Sequence, residues 1–357
     1  MKNYLAALAF VFACSIGLFA QTPADFDGKR GQASVAAALE AAAVTPAPAA
    51  PVEHPSHSDM DWRDDKAAYK SVEPDATVYP RLPRSGAAIT ISAAEFKEKL
   101  EELTGVREVT IAGNKVRIPQ RGGAQGLDLA RAWLAQEYQK IGFQTSTHQF
   151  RRGVNFIAKK PGTSGKTLII SAHLDSVNNA GADDDGSGII ASLLIATALK
   201  NAGNVHTLQI LGFDAEEKGL LGSDAYSKTV DKKEILGVMQ MDMISYNSKR
   251  DGRFHVIDCD RADSKFLTAA LMGNVQSLGL PLTRNKACTE RSDHASFWRM
   301  GIPAIAVSEN FFGGDGNSCY HQPCDVIDER LNFDYAAAIA TALANSAAAL
   351  ISPAPAL

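Results

Sequence analysis

From Thr167 to Val307 the chain alternates short apolar runs of strand length with longer runs of helical spacing, and few folds accept that order. Thr167–Ala172, Thr207–Phe213, Leu236–Met241 and Pro303–Val307 read as strands. Ser187–Lys200, Leu220–Ser227, Ser264–Leu278 and Phe333–Leu350 read as helices. Short continuous apolar runs suit strands covered on both faces. Their alternation with helices predicts an α/β fold, a mostly parallel mixed central sheet with helices on both faces. Upstream, Ser92–Leu103 reads as a helix capped by Ser92, with Phe96, Leu100 and Leu103 at helical spacing. Gly126–Ile141 reads as another, with Leu129, Trp133, Leu134 and Tyr138 toward one side. The globular pattern begins near Ala88.

In a parallel sheet the chemistry gathers beyond the carboxyl ends of the strands, and here those ends carry acids and histidines. His173 and Asp175 follow the first strand, and Gly181 to Gly188 opens the next helix with Asp183, Asp184 and Asp185. Asp214, Glu216 and Glu217 follow the second strand, Asp242 follows the third, and His321 stands in a later loop between two cysteines. Asp175, Asp184, Glu216, Glu217 and Asp242 meeting on one edge would be costly without counter-charge. Zinc suits this set, because it takes imidazole nitrogen and carboxylate oxygen. A pair of ions about 3.5–4 Å apart can share one bridging carboxylate.

The segments His173-Leu174-Asp175-Ser176, Gly181 to Gly188, Glu216 to Ser223, Asp242-Met243, Ser292-Asp293-His294 and Tyr320-His321 resemble the co-catalytic di-zinc aminopeptidases of the secreted bacterial leucyl-aminopeptidase type. The resemblance covers residues 110 to 350 and implies the zinc-dependent exopeptidase fold. It implies two zinc ions per chain, one on His173 and Asp242, the other on Glu217 and His321, with Asp184 bridging. By the same resemblance Asp175 accepts a hydrogen bond from the His173 ring, and Glu216 serves as general base and then general acid. Asp293 would be a hydrogen-bond partner behind the ligands. Met243 and Tyr320 fall near the family's side-chain pocket, which points to a bulky apolar first residue. The implied substrates are peptides with a free amino end.

Other polar residues have plainer readings. Asp183 and Asp185 suit helix capping or loops as well as catalysis, and Asp214 and His294 read as structural. His54, His57, His148, His206 and His255 lack matching partners. Relatives often place a Cys-x-x-x-Cys pair before the Ser-Asp-His motif. This chain has only Cys288 there, followed by Thr289, Glu290 and Arg291.

The first twenty residues, with Lys2 ahead of an apolar run from Leu5 to Phe19, read as a secretory signal cleaved after Ala20. Residues 21–85, rich in alanine and then proline, read as a linker or pro-segment, and 86–352 as the peptidase domain. The chain is then expected to be secreted or periplasmic, a monomer, with no later segment spanning a bilayer. Signal removal takes Cys14 and leaves Cys259, Cys288, Cys319 and Cys324, an even set that predicts disulfides in an exported chain. Of three possible pairings, Cys319–Cys324 closes a tight loop and goes with Cys259–Cys288. A Cys–His zinc cluster competes less well, since the metal set above contains no sulfur. A net charge of −4 gives no basic surface for nucleic acid. Three rival functions remain: a single-zinc glutaminyl cyclase of the same fold, a carboxypeptidase using Arg291, and a binding domain without catalysis.

Overall fold

The computed structural model describes residues 73–80 and 87–352. The expected signal, 1–20, and most of the segment 21–85 lie outside the described residues, as do His54 and His57.

The strands are β1 (Glu73–Pro74), β2 (Val109–Ile111), β3 (Asn114–Val116), β4 (Gln144–Phe150), β5 (Gly153–Lys160), β6 (Thr167–His173), β7 (Thr207–Phe213), β8 (Ile235–Met241), β9 (Arg253–Ile257), β10 (Thr283–Lys286) and β11 (Ala304–Glu309). The helices are α1 (Ala93–Leu103), α2 (Ala124–Lys140), α3 (Gly186–Ala198), α4 (Leu221–Ser227), α5 (Lys265–Leu278), α6 (His294–Arg299) and α7 (Phe333–Ile351). Nine strands form one sheet in the order β1-β10-β9-β11-β8-β6-β7-β5-β4, and β2 and β3 form a separate hairpin. The centre is parallel, with β6 between β7 and β8 and β11 beside β8. Antiparallel pairs flank it, at β5 with β7, β4 with β5, and β9 with β11.

Alternating side chains of the central strands feed two cores. Leu168, Ile170 and Ala172 of β6 join a large cluster with α1, α2, α3, α5 and α7, while Ile169 joins a smaller one with Tyr226, Phe297 and Trp298 of α4 and α6. β7 is buried at every position. Its mostly apolar sequence is that of a strand covered on both faces, and its one buried amide, Gln209, donates to the Tyr226 hydroxyl. The helix α3 is buried along Gly186–Ala196, which explains why it is apolar all round. Alanines along α7 let it pack closely against α3 and α5. By length and composition α7 could cross a membrane, but most of it is buried inside the core.

The domain also begins earlier than Ala88. β1 pairs antiparallel with β10. Behind it the Arg284 guanidinium holds Asp75 at 3.0 Å and the Tyr79 hydroxyl at 2.9 Å. Residues 73–80 thus pack as part of the domain. Disulfides join Cys259 to Cys288 and Cys319 to Cys324.

Candidate metal centre

The chain leaves β6, crosses through α3 to β7 on one side, and returns through α4 to β8 on the other side. This reversal opens a crevice at the carboxyl ends of these strands. His173 is the last residue of β6, and Asp242 directly follows β8. After β7 the chain turns at Ala215, whose φ is 60°, and presents Glu216 and Glu217. His321, with a φ of 56°, stands in the loop closed by Cys319–Cys324.

Asp184 lies between two groups of potential ligands. Its Oδ1 is 3.0 Å from His173 Nε2, and that nitrogen is 3.7 Å from Asp242 Oδ1. Its Oδ2 is 3.4 Å from His321 Nε2, which is 2.9 Å from Glu217 Oε2. Within each of the trios His173, Asp184, Asp242 and Asp184, Glu217, His321 the ligand atoms lie within 4.8 Å of one another. These are the five residues singled out in the sequence.

Asp175 departs from expectation. The His173 ring Nδ1 lies 3.0 Å from the backbone carbonyl of Asp175 and 3.7 Å from its Oδ1. The carboxylate instead accepts the backbone N–H groups of Glu216 at 3.1 Å and Glu217 at 3.3 Å. The tight turn after β6 brings the carbonyl to the ring, and the Glu-Glu turn takes up the carboxylate. The ring is still oriented with Nε2 facing Asp184, as a ligand requires.

The flanking aspartates are struts. Asp185 caps α3 by accepting the Gly188 N–H at 3.0 Å, and it also accepts from Met243 N and His173 N, each at 3.1 Å. A Cβ at Gly188 would come within 2.5 Å of that carboxylate, so glycine is required there. Asp183 accepts from the Ser245 amide and hydroxyl and from Asn317. Asp214 accepts the Val154 N–H at 2.8 Å and faces Arg131. His294 is packed edge-on against Trp298, and burial lowers its pKa to about 4. His148 contacts Phe150 and Tyr226, His206 contacts Ser164, and His255 is buried against Phe312.

Several residues around the site escaped the sequence reading. Asp325 accepts the N–H groups of Asp183 and Asp184, and burial raises its pKa to about 8. Arg121, fully buried, donates to the carbonyls of Leu174, Ala180 and Gly181 and so holds the loop between His173 and Asp184. Ser292 donates to Asp242 Oδ2 at 2.6 Å. Asp325 and Arg121 stand far in sequence from what they position, with no local motif to mark them, whereas Ser292 lies in the Ser292-Asp293-His294 motif and only its bond to Asp242 was not foreseen. Asp293, expected to be a hydrogen-bond partner, is fully buried with neither oxygen hydrogen-bonded, and burial raises it to about 7. Met243 is buried beside Asp242 with a φ of 57°. Tyr320 stacks on His321 with ring centroids 3.8 Å apart and meets the Phe311 ring edge-on.

The site fits a divalent metal. Asp184 Oδ2 and Glu217 Oε1 are buried without a hydrogen-bond partner. Burial, followed by the charge of Asp184, raises Glu217 to about 7. Burial raises Glu216 well above the usual carboxylate range; His173 opposes this, while Asp242, Asp293 and Glu217 add to it. Burial opposes charge on His173, but Glu216, Asp175, Asp184 and Asp242 outweigh it and push the imidazole well up. The nest draws positive charge, and its nitrogen and oxygen donors are those zinc takes.

The sequence model of peptidase family M28 matches residues 155–347, more than half of the chain. The chain belongs to this family. A probable leucine aminopeptidase of Arthroderma otae is 29% identical over 57% of this chain and 60% of its own length. Leucine aminopeptidase 1 of Uncinocarpus reesii is 32% identical over 51% of this chain and 50% of its own. The chain thus spans half to three-fifths of the length of these relatives. Among solved structures, the LapA aminopeptidase of Legionella pneumophila shares the fold with a TM-score of 0.62 at 21% identity, covering 74% of this chain and 71% of that one. A glutaminyl cyclase of Porphyromonas gingivalis shares it with a TM-score of 0.59 at 17% identity, covering 73% of this chain and 99% of that one.

Proposed function

We propose that this chain is a zinc aminopeptidase that removes residues from the free amino ends of peptides. The observation that carries the reading is the pair of ligand trios sharing Asp184, with Glu216 beside them. His173 and Asp242 would hold one zinc, Glu217 and His321 the other, and Asp184 would bridge. Zinc bound there would supply Lewis-acid polarisation of a carbonyl and lower the pKa of water. The raised proton affinity of Glu216 suits it to take a proton from the attacking water and return it to the leaving amine. Asp175, through the amides of Glu216 and Glu217, would hold that base in place. The acidic groups would attract the substrate's ammonium and so select free amino ends. Tyr320 and Met243 would border the first side chain and favour bulky apolar residues.

The same reading takes residues 1–20 as an export signal, most of 21–85 as a linker or pro-segment, and the mature protein as a secreted or periplasmic monomer. The two disulfides are in keeping with an oxidising compartment.

Metal content measured together with turnover of leucyl, N-acetyl-leucyl and glutaminyl peptides tests the proposal. The expected outcome is two zinc ions per chain, hydrolysis of the free-amine peptide and none of the blocked one. One zinc with cyclisation of glutaminyl peptides would replace the reading with that of a glutaminyl cyclase.

A further inference from the structure

Glu309 ends β11, is fully buried, and belongs to neither ligand trio. Its Oε1 accepts the Asn317 N–H at 2.8 Å and its Oε2 accepts the Tyr246 N–H at 3.1 Å. Its own N–H donates to the Met243 carbonyl at 2.7 Å. Asn317 lies on the approach to His321, and Met243 and Tyr246 follow Asp242. Asn317 in turn donates through Nδ2 to Asp183 at 2.9 Å, and Asp183 accepts the Ser245 N–H at 3.0 Å and its hydroxyl at 2.6 Å. Three segments that carry the candidate ligands Asp184, Asp242 and His321 therefore converge on one carboxyl group and its partners. A buried carboxyl is costly where an apolar side chain would fill the space, so its place at this junction calls for a role beyond packing.

We propose that Glu309 is a positioning residue that sets the distance between the two ligand trios. One oxygen holds the turn after Asp242 and the other holds the loop leading to His321, so His321 is fixed relative to Asp184. The proposal rests on the two-metal reading above. The His173 trio has its own supports, because His173 and Asp242 stand on adjacent core strands and Asp185 ties the backbone of His173 to that of Met243. Loss of Glu309 therefore falls on the His321 side. Outer partners of metal ligands typically cost about 10–100-fold in metal affinity when removed.

The test titrates the metal-free full chain with Zn²⁺ against a chromophoric chelator that resolves two equivalents, in wild type, Glu309→Ala and Glu309→Gln, with thermal melts alongside. The alanine variant is expected to bind one equivalent as wild type does and the other about 10–100-fold more weakly. The glutamine variant, nearly isosteric and keeping one acceptor, is expected to fall between, and it carries the test if the alanine variant does not fold. Equal weakening of both equivalents, or no change in either, would overturn the role of Glu309. A wild-type chain that binds a single equivalent fails before any substitution is considered, and it overturns the two-metal reading and this proposal with it.

Discussion

The two halves of the metal centre are built differently. His173 and Asp242 end neighbouring parallel strands at the middle of the sheet, where Ser171 of β6 pairs with Gln240 of β8. Their separation is set by the spacing of the strands, backed by the large core beneath. Glu217 and His321 stand on turns instead. One turn is held by the Asp175 carboxylate, the other by the Cys319–Cys324 disulfide and by Glu309. Asp184 joins the halves, and Asp325 and Arg121 hold its loop. The sheet thus supplies a rigid half, and polar contacts between distant segments supply the other. Perturbing those contacts should move the second half alone.

The largest effect tests what both halves serve. Glu216, close enough to His173, Asp242 and Glu217 to feel their charge, is the proposed proton carrier, and Glu216→Gln removes the basic oxygen while keeping the shape. Hydrolysis of a leucyl amide should fall by about 10²–10⁴-fold, with zinc content unchanged at both halves. If zinc is lost as well, Glu216 belongs to the ligand set and the division described here is wrong.

The comparison also explains what was legible in the sequence. The rigid half announces itself: β6, β7 and β8 are mostly apolar runs of strand length, each ending in or followed by acids or histidines, so strand and candidate ligand are read together. The capped helix α1 is equally plain, with Ser92 accepting the Glu95 N–H. The edge strand β4 and the short strand β10 near the other edge are not. β4 has the sequence QTSTHQF and runs through exposed and half-buried positions only, so it lacks the apolar run that marks a strand. β1 owes its place to Arg284, more than two hundred residues later in the chain. Glu217 and His321 were already visible in the pattern of acids and histidines, and the candidate ligand roles of all five residues came from resemblance to a family, whereas Glu309, Asp325 and Arg121 were missed. Their roles lie in hydrogen bonds to backbone groups of other loops, which leave no local pattern.

The next effect concerns pH. In the metal-free chain Glu217 is raised from 4.5 to about 7. The folded state then binds more protons than the unfolded one between these values, so stability falls as pH rises through that window. A shift of this size corresponds to roughly 3 kcal/mol. Asp325, raised from 3.8 to about 8, acts in the same direction. Thermal melts of the metal-free protein should therefore decline from pH 4.5 toward 7. Adding zinc should raise the melting temperature most at the upper end, where the ligand carboxylates are ionised. A metal-free chain whose melting temperature climbs across this range would show that the loop-borne carboxylates are stabilised some other way.

The smallest effect isolates the turn that carries His321. Replacing Cys319 and Cys324 by serine frees a loop with a sequence separation of 5. For so short a loop the chain-entropy model gives about 2 kcal/mol. That cost should appear locally as well as globally, because the loop also holds Tyr320 against His321 and Phe311. The zinc equivalent on Glu217 and His321 should weaken, and the one on His173 and Asp242 should keep its affinity. Opening Cys259–Cys288 instead should lower the melting temperature and leave the His321 equivalent unchanged, since that bridge ties the segment after β9 to the approach of Ser292, whose hydroxyl reaches Asp242. Two bridges, one for each half, would then be told apart by which zinc they loosen. If opening either bridge weakened both equivalents alike, the two halves would be a single cooperative unit, and the strand-borne ligands would depend on the loops as much as on the sheet.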